Sequence, residues 1–222
     1  MDCRNRMLPA LLAAVLGFGS GGVSHGTEPD IRWRAGGHFL AVASVEFLPD
    51  GEHVVSASSD VDVKLWHLPS RRLAWASSDG RFGPGGIRVA PDGSYYVAAA
   101  TELDTNVVTR TLSAGFPTVR LGALNVPPFV TAISPSGGRV AAGGFSPTPV
   151  EVRDLRVWNV SSGRELAVLP AASLPDVGYI ERLEFVTEDD LVIGSIQRLT
   201  RWSTDGSVRW ARAATFPESI VF

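Results

Sequence analysis

His38, Ser56 and Asp60 are the side chains whose types could together make a nucleophilic centre. An imidazole held between a hydroxyl and a carboxylate is the arrangement that activates a serine for acyl transfer. All three fall in one stretch, residues 37–66, "GHFLAVASVEFLPDGEHVVSASSDVDVKLW". The "PDG" turn at 49–51 and the spacing to Trp66 already account for the same three residues as parts of a hairpin framework, and a structural role is the expectation. The other chemistry is thinner. The four histidines and Cys3 offer no metal-ligand spacing. His53 opens a strand and His67 follows Trp66, so both are expected at an edge or on the surface. Asp60 and Asp62 lack the Gly and Glu of a calcium loop. Ser195, in "IGSIQ", lacks the second glycine of a nucleophile elbow. Gly17, Gly19 and Gly22 spell G-x-G-x-x-G, but they follow an apolar run and lead into loop residues, whereas a dinucleotide site needs a strand before and a helix after. Asn159-Val160-Ser161 is a glycosylation sequon, meaningful only in a eukaryotic secretory pathway. Neither a metal nor a cofactor is expected.

The elements that must position these residues are short strands. Runs such as "SVEF", "HVVSAS" and "VKLW" are bounded by turn residues, which is a hairpin signal. The pattern repeats. "SVEFLPDG", "GIRVAPDG", "TAISPSGG" and "RLEFVTED" stand in corresponding places, with Pro49, Pro91, Pro135 and Thr187 as turn landmarks. A second strand follows each turn, a third ends at Trp66, Trp158 and Trp202, and Leu112 stands nearest that phase in the second copy. A period of roughly 40–45 residues is that of four-stranded propeller blades. No long helical period appears, so the fold class is all-β.

Residues 37–66 resemble one blade of the WD-repeat β-propeller family: Gly37-His38 at the start, the "PDG" turn, the Ser58-x-Asp60 hairpin and the terminal Trp66. The family's Asp after the Trp is His67 here. The resemblance implies a propeller of about four four-stranded blades, approximately 38–79, 86–122, 129–169 and 180–213. Partial strands at 30–35 (with Trp33 matching Trp75 and Trp210) and 218–222 flank them, in an incomplete or open array. It also implies that His38, Ser56, Asp60 and Trp66 form a buried hydrogen-bonded chain. The other blades depart from the pattern: none has the His, and Asp154 in the third matches Asp62 and not Asp60.

Residues 1–26 read as an export signal. Arg4 and Arg6 precede a short apolar run, "LPALLAAVLGF", and small residues follow through Gly26. The run is short for a membrane span. Cleavage is expected near 24–26, leaving a WD-repeat domain over 27–222 without cysteine, in a periplasmic or extracellular location. The formal charge of −3 lacks the basic excess of a nucleic-acid footprint. Lys64 is the only lysine.

The functional expectation is an exported, non-catalytic interaction or scaffold module for a protein or peptide partner. A sensor portion or fragment of a larger WD-repeat protein is one alternative, and a propeller-based hydrolase or oxidoreductase is another. The hairpins between second and third strands share a face with the inter-blade loops. On that face Phe82, Pro147, Pro149, Val150, Leu174 and Tyr179 stand among Arg81, Glu151, Arg153 and Asp176, as apolar anchors within a charged rim. Open end blades would add self-association.

Overall fold

A computed structural model describes residues 36–78, 82–100, 106–112, 118–124, 128–144, 154–170, 180–195 and 198–213. The expected signal at 1–26 and the partial strands at 30–35 and 218–222 lie outside them. The chain divides into two compact units, Met1–Gly37 and His38–Phe222. The second carries sixteen strands in four antiparallel sheets, and no helix occurs among the described residues.

Blade 1 is β1 (Val42–Phe47), β2 (His53–Ser58), β3 (Asp62–His67) and β4 (Arg72–Ser78). Blade 2 is β5 (Phe82–Val89), β6 (Tyr95–Ala100), β7 (Asn106–Thr111) and β8 (Thr118–Ala123). Blade 3 is β9 (Pro128–Ile133), β10 (Arg139–Gly144), β11 (Asp154–Asn159) and β12 (Glu165–Pro170). Blade 4 is β13 (Ile180–Phe185), β14 (Asp190–Ser195), β15 (Arg198–Ser203) and β16 (Val208–Ala213). In each blade the strands pair in chain order.

Position in the blade decides which side chains a strand tolerates. The second strands are covered on both faces, so they read as unbroken small or β-branched apolar runs: "HVVSAS", "RVAAGG", "DLVIGS". The fourth strand of blade 1 has one wet face and alternates, with Leu73, Trp75 and Ser77 turned inward. The turns repeat as well. Gly51, Gly93 and Gly137 all have φ between 70° and 75°, where a Cβ is costly, and each donates its N–H back to Leu48, Ala90 or Ser134. The fourth turn is one residue shorter, with the Val186 N–H bonding the Asp190 carbonyl, and it has no glycine.

Three apolar clusters hold the blades together. Val55, Val63, Leu65, Ile87 and Tyr96 lie between blades 1 and 2. Val97, Val107, Leu121, Val140 and Trp158 lie between blades 2 and 3. Leu155, Val157, Leu183, Leu191 and Trp202 lie between blades 3 and 4. The first strands pack in series, β1 on β5, β5 on β9 and β9 on β13, and no comparable packing joins β13 to β1 among the described residues. Three apolar interfaces thus join the four blades in series among the described residues.

Register revises one expectation. Trp66 pairs with Val54, Trp158 with Val140 and Trp202 with Leu191, but the residue paired with the equivalent Tyr96 is Arg110, not Leu112. Leu112 lies just past β7 and joins the cluster between blades 1 and 2.

Candidate functional site

The nominated partner-binding residues Arg81, Pro147, Pro149, Val150, Glu151, Arg153, Leu174, Asp176 and Tyr179 lie outside the described residues; Phe82 opens β5, and only its backbone is described.

The structure brings His38, Ser56, Asp60 and Trp66 together. The Trp66 indole N–H donates to Ser56 Oγ at 2.9 Å. Ser56 Oγ lies 2.8 Å from His38 Nε2, and His38 Nδ1 lies 2.9 and 3.0 Å from the two Asp60 oxygens. One assignment of hydrogens satisfies every group: Trp66 N–H to Ser56, Ser56 O–H to Nε2, and Nδ1–H to the Asp60 carboxylate. Local structure explains the convergence. Asp60 sits in the β2–β3 hairpin, where its N–H donates to Ser58 Oγ and its carboxylate accepts the N–H groups of Asp62 and Phe39. These bonds hold Val61 at φ 68°, a left-handed conformation that a β-branched residue adopts at a cost of about 1–3 kcal/mol.

The electrostatics agree with that geometry. Burial is the largest influence on the Asp60 carboxyl and opposes its charge. The bonds from the Phe39 N–H, His38 and the Asp62 N–H together outweigh it and hold the pKa below the usual carboxylate value. The geometry of a hydrolytic triad is therefore present, but not its access. The His38 and Asp60 side chains are 5 % and 0 % exposed, Ser56 is buried, and the Trp66 N–H occupies a lone pair of its Oγ. A serine nucleophile needs an open approach for substrate and an oxyanion site beside it.

Polar ties between blades were not legible in the sequence. The Ser136 N–H and hydroxyl both donate to the Glu188 carboxylate, and Arg139 Nη1 donates to the Glu188 carbonyl and to Asp189 Oδ1. The Tyr95 hydroxyl donates to the Gly137 carbonyl at 2.6 Å, and burial, followed by the Asp92 charge, raises its pKa and keeps that proton in place. Gly122 lies against the Trp158 indole, where an added Cβ would stand 2.5 Å from Nε1.

Four antiparallel four-stranded sheets stacked in series, one wired by a His–Ser–Asp–Trp chain, define the chain's fold as a β-propeller of the WD40 type. Among solved structures it is similar to U3-55K, a WD40 β-propeller protein, with a TM-score of 0.61 at 15% sequence identity over 78% of this chain. It spans 52% of that protein's length. No protein-family profile matches the chain, and no curated sequence matches it.

Proposed function

We propose that this chain is an exported interaction module, a rigid propeller scaffold that holds a protein or peptide partner on the loops at one end of its blades. The observation that carries the reading is the state of its potentially reactive side chains. His38, Ser56 and Asp60 are buried in one satisfied hydrogen-bond chain that fixes a hairpin, which is a structural task. The loops 146–154 and 170–178 combine apolar and charged residues, as partner surfaces do. Export rests on the layout of residues 1–26, a basic start, a short apolar run and small residues.

The test is a pull-down from the native host comparing wild type with Val150→Asp and Leu174→Asp, with cooperative melting checked for each. Loss of specific partners in folded variants is expected; retention of every partner by both would place the binding surface elsewhere. Mass spectrometry of the native protein is expected to find an N-terminus near Thr27. A second reading, a portion of a longer propeller, is favoured by the similarity covering only 52% of U3-55K. An intact native mass well above that of residues 27–222 would select it.

A further inference from the structure

His53 opens β2, His67 closes β3, and the antiparallel register sets them directly opposite each other. Their ring centres are 4.8 Å apart and their planes are inclined by 42°, so the rings are tilted and not stacked. Each ring is already anchored through Nδ1. His53 Nδ1 lies 2.7 Å from Asp50 Oδ2, and His67 Nδ1 lies 2.7 Å from Ser70 Oγ. The anchor on His53 is itself fixed, because Asp50 Oδ1 accepts the N–H groups of Glu52 and His53 at 2.8 and 3.0 Å. Glu52 Oε2 stands 3.9 Å from His67 Nε2.

We propose that His53 and His67 bind a divalent late-transition cation such as Zn2+ through their Nε2 atoms, with Glu52 as third ligand and water completing the shell. With Nδ1–H given to a carboxylate or a hydroxyl, the Nε2 lone pair is left for a metal, and this outer-shell arrangement is the one that orients ligating histidines. The spacing suits the role: two imidazoles bound at ~2.0–2.1 Å to one tetrahedral ion hold their ring centres roughly 5 Å apart. Among the described residues no three ligating side chains converge as they stand. The two rings already face each other across the strand pair, and Glu52, whose side chain is 62 % exposed, joins by turning. The rings are 27 % and 33 % exposed, which gives an ion direct entry. Imidazole nitrogen selects Zn2+, Cu2+ or Ni2+ over Mg2+ and Ca2+, which prefer oxygen.

The experiment is a calorimetric titration of the untagged full chain with Zn2+ and, separately, Mg2+. One Zn2+ per chain and no Mg2+ binding are expected, with Zn2+ binding lost in His53→Gln and in His67→Gln. Asp50→Asn, which removes only the outer-shell carboxylate charge, should weaken Zn2+ about tenfold or more. Absence of saturable one-to-one binding, or its survival in either of the two histidine variants, overturns the site. If a variant loses its near-UV circular dichroism, the wild-type Cu2+ complex is read by electron paramagnetic resonance. Coupling to two imidazole nitrogens supports the proposal, and coupling to fewer overturns it.

Discussion

Trp66 in blade 1 and Trp202 in blade 4 occupy the same register position, one pairing with Val54 and the other with Leu191. Their indole N–H groups meet different fates. Trp66 donates to Ser56, whereas Trp202 Nε1 is buried with no partner among the described residues. The residue at the place of Ser56 in blade 4 is Ile193, paired with Thr200 as Ser56 pairs with Lys64. In blade 4 the indole therefore serves at this position through its volume, and in blade 1 a hydrogen bond is added to it. An orphaned buried donor costs about 1–3 kcal/mol, which the apolar burial of a large ring outweighs. Blade 1 is specified by directional bonds and blade 4 by packing and by its ties to the blade 3 turn.

The largest effect expected is from removing packing. Trp202 is 0 % exposed, and Trp202→Ala should destabilise the domain by about 3–5 kcal/mol in urea unfolding. A cost below that of a surface substitution would mean that blade 4 does not depend on this ring.

Substitution by phenylalanine separates the two roles. Trp66→Phe leaves Ser56 without its donor and should cost about 1–3 kcal/mol beyond the change in volume. Trp202→Phe loses no hydrogen bond and removes an unpaired buried N–H, so about 1–3 kcal/mol is regained against the cost of the lost volume. Equal losses at the two positions would erase the contrast between the blades.

Acid should distinguish the two blades by different carboxylates. The pKa of Asp60 is depressed in the folded state, so the stability it contributes is present above its unfolded value of 3.8 and is lost as pH falls through the lower folded value. Asp60→Asn should lower stability at neutral pH and flatten the acid limb below about pH 4. The pKa of Glu188 in the blade 4 turn is also depressed: burial opposes its charge, and the bonds from Ser136 and Ser134 with the Arg139 charge together outweigh it. Glu188→Gln should therefore remove a separate share of the same limb, read from melting temperature against pH.

The smallest effect comes from writing the blade 1 solution into blade 4. Ile193→Ser places a hydroxyl where Ser56 stands relative to Trp66. Both Ile193→Ser and Ile193→Ala lose buried apolar volume, but the serine variant should be the more stable by about 0.5–1.5 kcal/mol if the Trp202 N–H finds the new acceptor. A serine variant no more stable than alanine would show that blade 4 cannot reproduce the bond.

The sequence by itself determined what short-range physics encodes. Turn glycines that need positive φ, β-branched runs and the recurring Trp marked the strands, the blades and the all-β class, because each depends on neighbours a few residues away. His38, Ser56, Asp60 and Trp66 were nameable because their spacings belong to a single blade. Tertiary structure alone decided what depends on register and on stacking between blades. The fourth turn came one residue shorter while Trp202 kept the register position of Trp66, and Arg110 took the place that spacing had given to Leu112. Gly122 came against Trp158 across two blades, Glu188 reached the Ser136 turn, and His53 met His67 because they lie equally far from the hairpin that joins their strands. A one-residue slip in pairing turns every side chain of a strand to the other face of the sheet. Contacts across a sheet or between blades are therefore settled only when the strands pair.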